Sequence, residues 1–508
     1  MASALPSEVI FKKPLVLEFE GNMFKHAITL GDVDNDGLDE LVVANDKGDL
    51  AIFKGENPKP VRFASELGFI SCVAVGDLIN LGRNVLLAVS SCGMCYVYDF
   101  LDDPLNLNDE KKPLKCAHSQ QLPANIKMTL IGDINGDGFC EMVVALSDRI
   151  VRTYKWQSSG NLTSNFPEGK LIAHNKWELS EQVGGIALNR ADNMHTLLVS
   201  QPGPSCFMLT PPLDTGTAKV TGVRLDKSSI EFESLDSSSG GSNIQTEIIG
   251  DVEFEEHHSF DQFKAASSAA FTTGSGFQSD YHTKTDGNAY ALASLNGVVV
   301  LVRGGKIVWK SVLEHSLVSL SQLLVPQEER RTSTFQKFNA ADGRESPESS
   351  DDERCATSKL DQFINPSLAS SIAAMKSSPM AMSNPSTPSK MTIPIPNSKP
   401  KRLTNSMKYG TTLATKLVAC ATNGATFILN AQDGTCVRYK FHDAVRCCTS
   451  GFYGVDQSQK SCIVYVTHTN QIYLYHDVRA TLEKKPTFFN CQCCFSRIYP
   501  QEFLRSLR

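Results

Sequence analysis

The sequence is organised by a unit that recurs along the chain: a short apolar strand, a Gly-Asp turn, a second apolar strand, a small turn and a third strand. Its clearest copies occupy residues 27–53, 72–98 and 128–154. Units of about 30 to 60 residues, each too small to bury its own strands, are typical of β-propeller blades. Since no amphipathic helical segments separate the strands, a parallel α/β sheet is disfavoured. The repeat therefore predicts an all-β protein.

Weaker copies bring the number of units to seven. The fourth copy covers residues 184–209, and the seventh runs from 445 to 475. The fifth and sixth copies are interrupted, and their strands fall at 248–251 with 290–302 and at 317–325 with 416–429. Strands of this kind, short and bounded by turn residues, suit a closed ring of small sheets. We therefore predict a seven-bladed β-propeller.

A strand left over at the N-terminus predicts how the ring closes. Residues 14–20 form an apolar strand with no partner of its own, and the seventh copy has only a weak fourth strand. Because open sheet edges promote aggregation, we expect the N-terminal strand to complete the last blade. The predicted propeller spans residues 14–478, with a flexible insertion in blade five (253–288), a disordered insertion in blade six (326–408) and a C-terminal tail (479–508).

Two copies carry acidic loops between their first and second strands. Oxygen-bearing side chains recur at positions one, three, five and nine of each loop, and glycine at position six permits a sharp bend. Together with the backbone carbonyl of position seven, this spacing suits a hard cation. The predicted ligands are Asp32, Asp34, Asp36, Leu38 and Glu40 in the first copy, and Asp133, Asn135, Asp137, Phe139 and Glu141 in the third.

Two interpretations of these loops stay open. The first is a structural Ca²⁺ or Mg²⁺ site in each loop, and no other cofactor is expected. The second is turn formation without an ion, because Asp- and Gly-rich loops turn tightly on their own. The second copy shows that the repeat tolerates such a loop, since residues 77–82 keep the turn but lose most of the acidic side chains. No catalytic residues are predicted.

Charge and cysteine content limit the classes of function. A net charge of −6 and a pI near 6.0 disfavour nucleic-acid binding, which needs a basic face. No apolar run reaches the roughly 20 residues that cross a bilayer, and the first residues do not resemble a secretion signal. We therefore expect a cytoplasmic protein without direct membrane insertion. Its thiols are expected to be free, with those in apolar strands buried: Cys72, Cys95, Cys420 and Cys462.

The loop sequences GDVDNDGLDELVV and GDINGDGFCEMVV resemble FG-GAP repeats, the blade motif of the integrin α-chain propeller. Across most of residues 14–478 the chain is similar to the integrin-alpha FG-GAP repeat-containing protein 2 family, notably in LEFEGNMFKHAITL, LLVSQPG and CIVYVTHTNQIYLY. The resemblance implies a non-catalytic scaffold subunit of the KICSTOR complex, with a kaptin-like propeller and other subunits as partners. It also implies recruitment of the GATOR-type, Rag-directed GTPase-activating assembly to lysosomes, which restrains mTOR signalling when amino acids or glucose are scarce.

Other functions remain open at this point. A generic propeller adaptor of another pathway would have the same fold and differ only in its partners. An FG-GAP cell-surface receptor would need a signal peptide and a membrane span, and an enzyme would need acid, base or nucleophile residues converging on the channel. The basic group Lys399, Lys401 and Arg402 is a weak indication of a nuclear fraction. The loop after Val325 and the tail from Lys485 depart from the family pattern, which leaves partner contacts there in doubt.

Overall fold

The computed structural model describes residues 9–159, 166–191, 194–202, 205–209, 245–253, 288–313, 315–326 and 413–482. These residues form seven sheets of three to five strands, antiparallel except for one parallel edge pairing in blade one. Within the described ranges, helical structure is limited to a 3₁₀ turn at Lys25–Ala27 and one short helix, α1 (Val478–Leu482). The predicted insertions at 253–288 and 326–408 and most of the predicted tail lie outside the described residues.

The first three blades have four or five strands each. Blade one contains β2 (Ile28–Gly31), β3 (Glu40–Ala44), β4 (Leu50–Phe53) and β5 (Arg62–Ala64). Blade two contains β6 (Ile70–Gly76), β7 (Val85–Ser90), β8 (Met94–Tyr98) and β10 (His118–Gln121). Blade three contains β11 (Ile126–Gly132), β12 (Glu141–Leu146), β13 (Ile150–Ser158) and β14 (Gly169–Glu178). A further strand, β9 (Lys112–Pro113), pairs in parallel with β5 and adds a fifth strand to blade one.

Blades four to six follow in chain order. Blade four has three described strands, β15 (Gly185–Ala191), β16 (Met194–Gln201) and β17 (Ser205–Leu209). Blade five consists of β18 (Thr246–Val252), β19 (Ala289–Ser294), β20 (Val298–Arg303) and β21 (Lys306–Val312). Blade six consists of β22 (Leu317–Pro326), β23 (Leu413–Ala421), β24 (Ala425–Asn430) and β25 (Cys436–Lys440).

The last blade is completed from the other end of the chain, as predicted. It contains β26 (Val445–Val455), β27 (Ser458–Thr467) and β28 (Ile472–Tyr475), and its outer strand is β1 (Leu15–Leu17). β1 runs antiparallel to β28 with Leu15 opposite Leu474 and Leu17 opposite Ile472. The inner strands β2, β6, β11, β15, β18, β22 and β26 contact one another in this order, and β26 contacts β2. The seven-bladed propeller is therefore confirmed.

Among the described residues, the hydrophobic core consists of seven clusters, each between two neighbouring blades. Successive residues of a strand point to opposite faces, so Leu41 and Val43 of β3 pack toward blade seven, while Val42 packs toward blade two. Both faces of a middle strand are thus buried, which explains why the second strand of each copy is continuously apolar rather than alternating. Cys72, Cys95, Cys420 and Cys462 are buried, as predicted, and burial raises the pKa of the Cys72 thiol to about 12.

Glycine is required in the recurrent Gly-Asp pair because the inner strands of neighbouring blades approach closely there, and a side chain would clash with the next strand. A Cβ on Gly31 would lie 3.0 Å from Cβ of Val75, and one on Gly76 would lie 2.9 Å from Cβ of Ile131. The same relation recurs at Gly451, whose Cβ would lie 3.1 Å from Cδ1 of Leu30. Each glycine therefore accommodates the side chain that precedes the glycine of the next blade, so the repeat encodes the packing around the channel.

We expect Gly76→Val to destabilise the propeller because Ile131 is β-branched and cannot rotate away from an added side chain. Overpacking of this kind costs about 1–3 kcal/mol of unfolding free energy. Urea denaturation of the purified protein measures the loss, with Gly76→Ala expected to fall between the wild type and Gly76→Val. Val308→Thr, on an outer strand with a 37% exposed side chain, is the matched control. Wild-type stability for Gly76→Val would contradict the packing argument.

Candidate functional site

The acidic loops of blades one and three lie on one face of the propeller, at the ends of the inner strands β2 and β11. The loop of blade one connects β2 to β3, and its backbone is held by its own carboxylates. Asp32 Oδ2 accepts a hydrogen bond from Gly37 N at 3.0 Å, and Asp36 Oδ1 accepts one from Leu38 N at 2.8 Å. Glu40 Oε2 accepts a bond from Val33 N at 2.9 Å. The predicted ligands of this loop therefore serve first as acceptors for its turn.

Three of the predicted acidic residues converge. One carboxylate oxygen from each of Asp32, Asp34 and Glu40 lies within 4.8 Å of the others, the sole such acidic group among the described residues. Glu40 is fully buried, and burial raises its pKa to about 8, with the neighbouring Asp34 adding to the effect. Burial also raises the pKa of Asp32. Burial thus disfavours the charged forms of these carboxylates unless a cation lies beside them.

The loop of blade three repeats this geometry. Asp133 accepts hydrogen bonds from Gly136 N at 2.7 Å and Gly138 N at 3.0 Å, and Asp137 Oδ1 accepts one from Phe139 N at 2.8 Å. Asn135 Nδ2 donates to Asp137 Oδ2 at 2.9 Å. Burial raises the pKa of Glu141 to about 7. Hydrogen bonds hold the predicted ligands of the third loop in one turn, but among the described residues the carboxylates of Asp133, Asp137 and Glu141 do not converge as those of blade one do. Whether either loop binds Ca²⁺ or Mg²⁺ stays a prediction.

Two lysines that the sequence did not single out extend from the third strands, and their ammonium groups lie among the carboxylates of these loops. Lys54 Nζ is 2.8 Å from Asp34 Oδ2, 2.7 Å from Asp36 Oδ2 and 2.9 Å from Glu40 Oε1. In blade three, Lys155 Nζ is 3.1 Å from Asp137 Oδ2 and 3.2 Å from Glu141 Oε1. Both follow an aromatic residue at the same place in the third strand, and this repeated Phe-Lys and Tyr-Lys pair was the signal that could have identified them.

Asparagines tie consecutive loops to one another. Asn35 Nδ2 donates to Asn84 O at 3.1 Å, and Asn84 N donates back to Asn35 Oδ1 at 2.6 Å. One blade further, Asn80 forms the same reciprocal pair with the backbone of Cys140. Asn35 and Asn80 hold equivalent places in their repeats and both have positive φ, 63° and 57°. These contacts order the face formed by the loops of blades one to three.

This face also exposes large apolar side chains. Leu81 and Phe139 lie in the loops between the first and second strands and are 50% and 51% exposed. Leu101 and Leu107 lie in the loop after β8, which reaches the first acidic loop because Leu105 N donates to Asp34 Oδ2 at 3.2 Å. We call Leu81, Leu101, Leu107 and Phe139 the loop-face apolar group. Solvent-exposed apolar side chains grouped on one face are typical of a protein contact surface.

A family model described as integrin-alpha FG-GAP repeat-containing protein 2 matches residues 54–332 and 412–480, more than half of the chain. The chain belongs to this family. It is 27% identical over 484 residues to KICSTOR complex protein ITFG2 of Bos taurus, covering 93% of this chain and 71% of that protein. It is 26% identical over 493 residues to the Mus musculus protein of the same name, covering 93% of this chain and 85% of that one. The family match leaves out residues 333–411, most of the predicted blade-six insertion.

Solved structures with a resembling chain include BBS1N in complex with ARL6DN and Raptor of Chaetomium thermophilum. The first has a TM-score of 0.44 at 10% identity, covering 91% of this chain and 97% of that chain. The second has a TM-score of 0.43 at 9% identity, covering 92% of this chain and 29% of that chain. These scores carry no inference about function. No helix in the described part of this chain is long and apolar enough to cross a membrane.

Proposed function

We propose that this protein is a non-catalytic scaffold subunit of a KICSTOR-like complex. The observation that carries the proposal is similarity along 93% of the chain to two proteins named KICSTOR complex protein ITFG2. A propeller suits a scaffold because its blades offer several loop faces on a rigid ring. In the proposed role, the complex recruits the Rag-directed, GATOR-type GTPase-activating assembly to the lysosomal surface and restrains mTOR signalling when amino acids or glucose are scarce. The protein itself reaches the lysosome from the cytoplasm through its complex.

Affinity purification of the tagged full-length chain from nutrient-starved cells, followed by mass spectrometry, tests this role. We expect recovery of a kaptin-like propeller, the other KICSTOR subunits and the GATOR-type assembly. In cells that lack the protein, mTOR substrates should stay phosphorylated during starvation. A stable set of different partners would contradict the proposal and favour the generic adaptor of another pathway.

Within this role, we assign the contact with another KICSTOR subunit, the kaptin-like propeller, to the loop-face apolar group. Four of the most exposed large apolar side chains lie on this one face. The loops of Leu81 and Phe139 are held by the asparagine contacts, and the loop of Leu101 and Leu107 is held by the hydrogen bond from Leu105 N to Asp34. Apolar contacts at the centre of an interface supply most of its binding energy, provided that the loops are already ordered. The contact is expected to be protein with apolar side chains rather than nucleic acid, since the chain has a net charge of −6.

We expect the double variant Leu81→Asp, Phe139→Asp to reduce recovery of the kaptin-like subunit by at least ~10-fold, because two charges would be buried at the contact. Quantitative co-purification measures the effect, and the melting temperature confirms folding. The matched control is Phe24→Asp, which changes a 45% exposed aromatic residue at the opposite end of the inner strand β2. Normal recovery with the double variant, or a loss confined to Phe24→Asp, would place the contact elsewhere.

A further inference from the structure

The ammonium group of Lys54 lies where a cation of the first acidic loop would lie. It contacts carboxylate oxygens of Asp34, Asp36 and Glu40 at 2.7–2.9 Å, and the lysine side chain is only 10% exposed. These are charge-assisted hydrogen-bond distances, and they involve three of the five predicted ligands. Three carboxylate oxygens at these distances stabilise the charged form of the ammonium group. The loop therefore already contains a positive charge.

A divalent ion and this ammonium group cannot share the loop. The converging carboxylates of Asp32, Asp34 and Glu40 share two residues with the contacts of Lys54. Because Ca²⁺ binds carboxylate oxygens at about 2.3–2.6 Å, an ion held by this group would lie beside the Lys54 nitrogen and compete with it for Asp34 and Glu40. Two cations in contact inside a partly buried loop repel strongly. Binding of a divalent ion would require Lys54 to leave the loop and lose all three ion pairs.

The register of the strands explains why a lysine reaches this point. Phe53 of β4 lies opposite Leu41 of β3, so the next residue, Lys54, lies beside Glu40 across the two strands. In blade three, Tyr154 lies opposite Met142, which places Lys155 beside Glu141 in the same way. Lys155 contacts both Asp137 and Glu141. Two blades with independent sequences thus place an ammonium group at one equivalent position.

In blade two, both the carboxylates and the lysine of this arrangement are replaced by other residues. Its loop has Ile79, Leu81 and Val85 at the places of the three carboxylates that contact Lys54 in blade one. Tyr98 lies opposite Leu86, so the residue at the lysine position is Asp99. Asp99 is paired with Arg83 of the loop, whose Nη2 lies 2.7 Å from Asp99 Oδ2. Where the loop has no carboxylate at these three places, the third strand has no lysine, and the ion pair joins an aspartate of the strand to an arginine of the loop.

From this pattern we propose that the first and third loops are closed by lysine rather than by a metal ion. Lys54 and Lys155 are the resident cations, and the wild-type propeller neither requires Ca²⁺ or Mg²⁺ nor binds them at these loops. The FG-GAP spacing is retained for its turn and its ion pairs. Removing the lysine should leave a loop of uncompensated carboxylates, which a divalent ion can then fill.

The first experiment uses the wild-type chain. Its melting temperature is measured in EDTA and again with about 10 mM CaCl₂ or MgCl₂, well above the dissociation constants of weak Ca²⁺ modules. Elemental analysis after dialysis against about 1 mM CaCl₂ counts bound ions. We expect an unchanged melting temperature and far less than one ion per chain. One or two ions per chain, with a higher melting temperature in Ca²⁺ than in EDTA, would overturn the proposal.

The second experiment replaces the lysine. In EDTA, Lys54→Met should melt on the order of 5 °C lower than wild type, because buried carboxylates lose their partner. Added Ca²⁺ should restore part of this loss in Lys54→Met but have no effect on the wild type. The control is Lys59→Met, which removes an exposed lysine paired with Glu110 outside the loops. Lys155→Met repeats the test in blade three and remains informative should Lys54→Met fail to fold.

If Lys54→Met had the melting temperature of the wild type, and Ca²⁺ did not change it, the assignment of Lys54 as the resident cation would be overturned. The same holds if Lys59→Met shows an equal loss, because the effect would then not be specific to the loop. None of these outcomes depends on the proposed role in a KICSTOR-like complex, so the two proposals can fail separately.

Discussion

Deleting residues 1–20 is expected to abolish cooperative folding of the propeller. The deletion removes β1, which pairs with β28, and with it the buried side chains of Leu17 and Phe19 between blades seven and one. It also removes Phe11, whose ring lies 4.4 Å from that of Tyr439 in the cluster between blades six and seven. The segment therefore contributes to two of the seven core clusters.

The expected size of the effect follows from these contacts. Truncation of a single buried Leu or Phe costs about 2–5 kcal/mol, and three such side chains are lost together with the strand pairing. Domains as a whole are stable by about 5–15 kcal/mol, so the loss approaches the entire free energy of unfolding. The exposed edge of β28 would in addition favour aggregation.

Size-exclusion chromatography and thermal melting by circular dichroism measure the outcome. We expect the deleted protein to be aggregated or to lack a cooperative transition. Deletion of residues 1–8, which lie before the described segment, is the control and should leave the transition intact. A soluble, cooperatively melting protein without residues 1–20 would show that blade seven closes without β1.

The second large effect is expected at Tyr465, at the centre of the aromatic cluster between blades six and seven. Tyr465 is fully buried, its ring stacks on Phe441 at 4.4 Å, and its hydroxyl donates to Thr426 Oγ1 at 2.9 Å. We expect Tyr465→Ala to lower the free energy of unfolding by about 3–5 kcal/mol because it opens a cavity between two blades. Tyr465→Phe keeps the ring and removes only the hydrogen bond, so it should lower the free energy of unfolding by about 0.5–1.5 kcal/mol.

Urea denaturation of the two variants separates packing from hydrogen bonding at this position. Equal losses for Tyr465→Ala and Tyr465→Phe would mean that the hydroxyl, rather than the ring, supplies the stability. A negligible loss for Tyr465→Ala would show that the cluster can collapse around the missing ring. The contacts of Phe441 with Tyr473 and Tyr475 argue against such a collapse, since several rings would have to move together.

Much of the architecture could be predicted because it is encoded locally. The Gly-Asp turn recurs in blades one, two, three and five, and the apolar strands recur in all seven, so the number of blades follows from the number of repeats. The fifth strand of blade one was not predicted. Lys112 and Pro113 form no apolar pattern, and β9 exists because the chain returns past Arg62 on its way to the outer strand of blade two.

In the candidate site, the sequence predicts which carboxylates share a loop, whereas the cation that faces them depends on the tertiary structure. Spacing alone brought Asp32, Asp34, Asp36 and Glu40 into one loop, since these residues are neighbours in the chain. The cation that faces them depends on which residue of the third strand lies beside Glu40, and this is set by the pairing of Phe53 with Leu41. The sequence by itself determined a propeller of seven repeats with acidic loops. Only the strand register, which joins residues distant in the chain, placed the ammonium group of Lys54 among the carboxylates.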